Sequence, residues 1–350
     1  MRKVSKVGLG VVGAVALIVA QAVPAQADPS AGPADIVGIG SDTLQYAGDF
    51  LADGDYLGNP GFNAAGGRVF NLDATGDASG KLTAGATVVL RGGTFPVVRP
   101  NGSGAGLTYF LNTDTAATHK VQFVRSSRAP SQAEKDKAVT NGWGGLHCYQ
   151  MGLDGLQIAV SKLVATNVPA AGLSVSQLAA IYSDPNIDTW SQVPGYSGPN
   201  GGATIAPVIP QAGSGTRSFF LSSIGLTEAQ VRTDTTLVVV EEHDPAPIQN
   251  NANAFGPFST ARKAMINNGY FNNGTAQDPI TLQAPPTNAN AFSVTRPIWI
   301  VVRQSEVSAS FNTKLFAPGG FMSQSILAAP LIQDAAGFTY QYRDAGTACA

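Results

Sequence analysis

Apolar runs of strand length recur along this chain, and most end in a Gly- or Ser-rich turn followed by a helical pattern. Ala34-Asp35-Ile36-Val37-Gly38-Ile39-Gly40 reads as a buried strand entering a tight turn. Ser41-Asp42-Thr43 then offers a cap for a helix whose apolar positions include Leu44, Ala47 and Leu51. Val88 to Leu90 and Phe95 to Val98 are short strand candidates, and Asn101 to Gly106 is a second Gly/Ser loop before a helix start at Leu107 to Leu111. Val121 to Val124 predicts a strand ending in Arg125-Ser126-Ser127-Arg128-Ala129-Pro130, after which Ser131 and Glu134 stand at capping-box spacing. Gly155 to Val160 is strand-like, and Ser174 and Gln177 repeat the capping box before Leu178, Ile181 and Tyr182. Thr204 to Ile209 is apolar and leads through Gln211-Ala212-Gly213-Ser214-Gly215-Thr216-Arg217 into the run Phe219 to Ile224. Thr236 to Val240 and Ile298 to Val302 are β-branched runs of the buried-strand type, whereas residues 53–82 and 267–291 read as loops.

Strands alternating with helices predict an α/β fold with a mostly parallel, helix-covered sheet, and in such folds ligands sit beyond the carboxyl ends of strands. Four loops have that position: 38–43, 101–106, 125–128 and 211–217. The last has the strongest chemistry. Its glycines let backbone approach closely, and the hydroxyls and free N–H groups of the following helix's first turn point at one spot, which suits an anion.

Composition narrows the setting. Arg2, Lys3 and Lys6, the apolar run Val7 to Ala20, and Ala25-Gln26-Ala27 form a signal-peptide pattern with cleavage expected after Ala27. The expected product is secreted or extracytoplasmic, in the periplasm or cell-wall space, and works as a monomer. Charged residues make up only 13% of the chain, three of the 21 basic residues lie in the leader, and no basic cluster remains. Nucleic acid is therefore excluded as a partner, and any anion site must rest on local dipoles and a few arginines. Export permits Cys148 and Cys349 to form a disulfide, the alternative being two free buried thiols. Neither lies at the cleavage site, so no lipid anchor is expected.

The four loops resemble those of the phosphate-binding proteins that serve bacterial ABC transporters. The resemblance rests on Gly38-Ile39-Gly40, Gly102-Ser103-Gly104, Ser127-Arg128-Ala129-Pro130 and Gly213-Ser214-Gly215-Thr216, with Gly152 to Lys162 and Arg296 to Val302 similar to the family's two lobe-crossing strands. It implies a two-lobed periplasmic-binding-protein-like fold, each lobe a helix-covered mixed sheet, with the ligand cleft between the lobes. Lobe one would comprise residues 28–160 with 296–350, and lobe two residues 161–295. Its ligand groups carry over to Thr43, Ser103, Ser127, Ser214, Gly215 and Thr216, with Arg128 and Arg217, and less directly Asp42 and Arg125, as further candidates. The implied ligand is phosphate or a similar oxyanion, the implied partner an ABC-transporter permease, and no cofactor or metal is implied.

Two departures change the chemistry. Many family members have an aspartate where Arg128 precedes Ala-Pro, a carboxylate that takes hydrogen phosphate's proton and repels sulfate; here only Asp42 could supply that discrimination, and its plainer role is the helix cap. Pro210-Gln211-Ala212 stands where an arginine-type residue often lies, and Arg217 follows the loop instead. Two other function classes remain open. An exported hydrolase would need a Gly-x-Ser-x-Gly elbow, but Asn101 and Ala212 occupy the first glycine's place before Ser103 and Ser214. The histidines, His119, His147 and His243, show no helical metal-binding pair, and Glu241-Glu242-His243-Asp244 reads as a solvated strand end, so no catalytic residue is assigned. The other class is a secreted surface protein that keeps the fold without a ligand.

Overall fold

The computed structural model describes residues 31–75, 86–114 and 120–349; the leader and His119 lie outside them. β1 (Ile36–Gly40) runs into α1 (Gln45–Asp53), and β2 (Val69–Asn71) returns parallel to β1. The ribbon of β3 (Thr87–Val88) and β4 (Val97–Val98) leads to α2 (Ser103–Asn112), and β5 (Phe123–Ser126) pairs parallel with β1 before α3 (Gln132–Thr140). β6 (Leu146–Ser161) then carries the chain into the second half, built from α4 (Val175–Ser183), β7 (Ala206–Pro210), α5 (Gly215–Ser223), β8 (Val238–Val240), α6 (Ala246–Gln249), β9 (Ala254–Ser259), α7 (Thr260–Asn267) and β10 (Ile280–Gln283). β11 (Ser293–Arg303) returns antiparallel along β6, and α8 (Ser310–Leu315), α9 (Ser325–Ala329) and β12 (Thr339–Gly346) complete the first half.

The main sheet is mixed rather than mostly parallel, because β11, β9, β10 and β12 run antiparallel to β6; its order is β2-β1-β5-β11-β6-β9-β7-β8, with β10 and β12 also paired to β6. β6 is 16 residues long and nearly all buried, which lets it serve both halves. The period of two expected of a strand buried on both faces is visible in β11, where Ile298, Ile300 and Val302 enter one apolar cluster and Trp299 and Val301 another. The second half has its own clusters, with Ile158, Ile209 and Phe255 on one side and Ala159, Val208 and Phe258 on the other. The first-half strands β1 and β5 and the second-half strands β7, β8 and β9 end at the same seam, so the loops that follow them meet there.

Both predicted capping boxes form, Ser131 with Glu134 and Ser174 with Gln177. Other expectations need correction. The segment 53–82 is not all loop, since β2 lies in it, and 267–291 holds β10, a short strand sustained by pairing with β6. α2 begins at Ser103, earlier than its apolar residues suggest, because Gly102 at φ 101° turns the chain directly into the helix. α1 begins after Leu44 with no side-chain cap, so Asp42 does not cap it. Gly106 is required by close approach, since a Cβ there would come within 2.6 Å of Gly40 Cα.

Cys148 and Cys349 are disulfide-bonded, with 201 residues of sequence separation. Gly346 of β12 stands opposite Cys148 of β6, so the bridge fastens the last strand to the central one. No helix among the described residues is long and apolar enough to cross a membrane. Replacing both cysteines by alanine should lower the unfolding free energy by roughly 2–4 kcal/mol, measured as a lower denaturant midpoint. An unchanged midpoint would mean that β12 is held without help from the bridge.

Candidate functional site

At the seam, the loops after β1, β7 and β8 converge on one carboxylate. Glu242 Oε2 accepts from Thr43 Oγ1 at 2.8 Å, and Glu242 Oε1 accepts from Ser214 Oγ and from the Thr216 N–H at 3.3 Å. Ser214 is the N-cap of α5, its Oγ also accepting from the Arg217 N–H at 2.9 Å, so the carboxylate sits at the positive end of a helix. Thr43 Oγ1 lies 3.1 Å from Thr216 Oγ1 and from His243 Nε2. Arg296 of β11 donates from Nη2 to Thr216 Oγ1 at 2.9 Å, tying the cluster to the crossing strands.

Gly215 meets the other two hydroxyl loops. Ser103 Oγ accepts from the Ser127 N–H at 2.9 Å and lies 3.2 Å from Ser127 Oγ. A Cβ on Gly215 would fall 2.2 Å from Ser103 Oγ and 2.4 Å from Ser127 Oγ, so only glycine allows this approach. The halves are also stitched by Gly104 N–H to the Gly213 carbonyl at 2.9 Å and by Asn101 Nδ2 to Glu241 Oε2 at 2.9 Å. Thr43, Ser103, Ser127, Ser214, Gly215 and Thr216 are thus all brought together and buried.

The arginines expected beside them have other duties. Arg217 points away, ion-paired to Glu228 and donating to the Pro210 carbonyl at 3.0 Å. Arg125 is buried against backbone, holding the Leu72 carbonyl at 2.9 Å, the Ser41 carbonyl at 3.3 Å and the Asn71 side chain. Arg128 forms a two-pronged pair with Glu134 at 2.8 and 2.7 Å, on the wall of a cavity of about 600 Å³ shared with Phe219 and Arg296. Each guanidinium is taken up by acceptors of the chain, Glu134 for Arg128, Glu228 for Arg217 and the Leu72 and Ser41 carbonyls for Arg125.

The charges that do reach the seam come from elsewhere. Glu241, Glu242 and His243 are 3%, 1% and 7% exposed, so the solvated strand end expected for this segment is in fact buried. The β-branched run before them is itself largely exposed, so burial begins only after the strand, where the segment turns into the seam. Asp154 of β6 and Arg296 of β11 pair at 2.9 Å, both fully buried. Arg262, in the first turn of α7, lies 3.6 Å from Asp42 and stacks its guanidinium 4.5 Å from the Tyr46 ring centroid and 4.9 Å from that of Phe271. Neither Asp42 oxygen has a hydrogen-bond partner among the described residues.

Asp42, Glu242 and His243 each bring one ligand atom within 4.8 Å of the others, the spacing of a cation site. The guanidinium of Arg262 already lies against Asp42, however, and His243 Nδ1 accepts from the Ser259 N–H at 3.4 Å, which leaves the ring proton on Nε2, facing Thr43. The trio is better matched to hydrogen bonding than to a metal.

The fold has counterparts among known proteins. A family model described as the PBP superfamily domain matches residues 72–310. The chain belongs to the PBP superfamily. This PBP chain shares its fold with an ABC-type phosphate transport receptor from Vibrio cholerae, at 21% identity over 88% of this chain and 100% of that one, with a TM-score of 0.53. A putative phosphate ABC transporter substrate-binding protein with bound phosphate, from Clostridium perfringens, is similar in fold at 16% identity over 88% and 100%, also with a TM-score of 0.53. No curated protein matches the chain. The PBP fold is two-lobed and α/β, as the sequence predicts.

Burial leaves a mark on the ionisable groups of this PBP seam. It pushes Asp42 up to about 7 and Glu241 up to about 8, each also raised by neighbouring carboxylates. Asp49 is likewise raised to about 8, by burial first and then by Asp73. Burial holds His243 well below its ordinary value. The raised carboxyls keep protons in the folded chain that the unfolded chain has already released, so they favour folding below their unfolded values and lose that contribution as pH rises to about 8. His243 acts in the opposite direction, but only below its ordinary value near 6.5. Between about pH 6.5 and 8 the carboxyls act alone. Thermal unfolding over this window should show the melting temperature falling as pH rises, with Asp42→Asn flattening part of the slope. A rising profile, or one that Asp42→Asn leaves unchanged, would remove Asp42 from this role.

Proposed function

We propose that this chain is an extracytoplasmic solute-binding protein that captures a small oxyanion at the seam between two lobes, with phosphate the first ligand to test. One observation carries the reading: Thr43 Oγ1, Ser214 Oγ and the Thr216 N–H converge from two loops on a pair of negatively charged oxygens, those of Glu242. A carboxylate and a phosphate present the same feature to these donors, paired acceptor oxygens with shared negative charge. The helix end, the hydroxyls and the low polarity of the seam make a cradle for that feature whichever molecule supplies it.

Support comes from the fold as well. Two structures similar to this chain are a phosphate transport receptor and a substrate-binding protein holding phosphate. In the proposed arrangement residues 28–160 with 296–350 form one lobe and 161–295 the other, and Thr43, Ser103 and Ser127 face Ser214, Gly215 and Thr216 across the division. Export with cleavage after Ala27 and delivery to an ABC permease belong to the same proposal. We assign no catalysis: Ser103 is engaged by Ser127, and of the described histidines His147 bonds Gln304 and Asp344 while His243 bonds Thr43 and Ser259. A second reading, a surface protein that keeps the fold without a free ligand, is favoured by the same Glu242 contacts, because the cradle is already served from within.

Calorimetric titration of the refolded chain with phosphate and then sulfate separates these readings. Saturable binding is expected, with thermal stabilisation of about 2.7 kcal/mol at a hundredfold excess over Kd. Ser214→Ala with Thr216→Ala should remove binding and leave circular dichroism unchanged. Undiminished affinity in that double variant would place the site elsewhere, and turnover of a chromogenic phosphoester by the unmodified chain would point to a hydrolase.

A further inference from the structure

The contacts made by Glu242 are those of a ligand, yet the side chain making them belongs to the chain itself. It is buried, its two oxygens accept from Thr43, Ser214 and Thr216, and it lies at the N-terminus of α5, a helix of 9 residues. A free dianion cannot share this dry space with a second negative charge, because like charges a few ångströms apart repel strongly when water is excluded. A second observation points to an occupant other than Glu242. Among the described residues, Arg296, whose Nη2 holds Thr216, has no hydrogen-bond partner for its buried Nη1, and Arg262, paired to Asp42, has none for its buried Nε and Nη1. Donors of two guanidiniums are left idle beside the cradle while Glu242 fills it, and a larger oxyanion has more acceptor oxygens to offer them than a carboxylate.

The segment that carries Glu242 comes from the edge of the sheet. β8 is the last strand in the sheet order, three residues long, and pairs with β7 alone. Val238 and Val239 on it are exposed, and the chain turns sharply after Glu242, with His243 at φ 64°. The loop bearing the carboxylate therefore leaves an edge strand and is held at the seam by side-chain amides, Asn101 and Gln211, whereas Thr43, Ser214 and Thr216 are attached to strands paired on both sides or to a buried helix end.

We propose that Glu242 is a tethered internal ligand: it fills the oxyanion cradle in the closed chain, sets the affinity that a free anion must exceed, and leaves when one binds. The proposal rests on the oxyanion reading above and adds to it the residue that decides which anions succeed. A tethered group competes at an effective concentration that a free ligand rarely reaches, so the unmodified chain should bind weakly and only anions able to use the idle guanidinium donors should displace it.

The test compares inorganic phosphate binding by the unmodified chain, Glu242→Gln and Glu242→Ala, with melting temperatures recorded without and with phosphate. Both variants should bind phosphate on the order of tenfold tighter or more, and Glu242→Ala should melt lower than the unmodified chain without phosphate and recover when it is added. Should the alanine variant fail to fold, the glutamine variant decides, since it keeps the side chain's size and removes its charge. Affinities equal to that of the unmodified chain would overturn the internal-ligand role while leaving the oxyanion reading intact. Weaker binding by the variants would overturn it too, making Glu242 a contact to the bound anion. Absence of phosphate binding in all three chains would instead remove the oxyanion reading, and the internal ligand with it.

Discussion

Asp154 and Arg296 face each other across β6 and β11, and the cradle depends on that pair. Arg296 holds Asp154 Oδ2 from Nε at 3.2 Å and from Nη2 at 2.9 Å, and its Nη2 also holds Thr216 at the start of α5. Asp154 Oδ1 accepts at 2.7 Å from Ser259 Oγ, the N-cap of α7. One ion pair therefore sets the N-termini of two helices against the strands that join the halves. Its value lies in position more than in attraction, since removing one partner of such a buried pair costs about 3–5 kcal/mol while the intact pair gains little over apolar residues. A one-residue slip of β11 along β6 would turn Arg296 to the opposite face and dismantle the seam.

Around this pair the seam gathers more ionisable groups than its exposure to water would ordinarily allow. Asp42 is paired with Arg262 and Asp154 with Arg296, burial raises Glu241 to about 8, and His243 stays neutral through burial. Glu241 is held by Asn101 at 2.9 Å and by Gln211 at 3.0 Å, and Gln211 Oε1 accepts from the Glu242 N–H at 3.1 Å, so the loop after β8 is anchored by amides from both halves. Gly215 completes the closure by having no side chain where Ser103 and Ser127 arrive. A dry, closed seam strengthens each hydrogen bond within it and makes each unpartnered group costly, which is why the idle oxygens of Asp42 and donors of Arg262 and Arg296 carry information.

Local signals made much of this legible. Ser131 with Glu134 and Ser174 with Gln177 announce their helices because a capping box is a contact between near neighbours, and the four hydroxyl loops follow apolar runs whose strand character does not depend on distant partners. What escaped notice depends on distant partners. β2, β10 and β12 are short or mixed in pattern and exist by pairing with β1 or β6. Proximity in sequence puts Arg125, Arg128 and Arg217 beside the hydroxyl loops, but a long side chain chooses among acceptors in three dimensions, and these take the Asn71 side chain, Glu134 and Glu228. Glu241-Glu242-His243 looked solvated because charge usually is, and only the meeting of three loops buries it.

The two departures from the family pattern find a common explanation in where the charges stand. Arg128, at the position the resemblance gives to an aspartate, turns to Glu134 in α3 and leaves the cradle with no group of its own. Pro210-Gln211-Ala212, where an arginine-type residue often lies, contributes Gln211 as a clamp on the loop after β8. On the oxyanion reading, the charges nearest the cradle are then Glu242 from that loop and Arg296 from β11. Hydroxyls and helix end are retained while the charged groups change strands. On the oxyanion reading, discrimination between anions then moves from a strand-anchored loop of the first half to the edge of the second, where the carboxylate that repels a ligand is also the one that can withdraw from it.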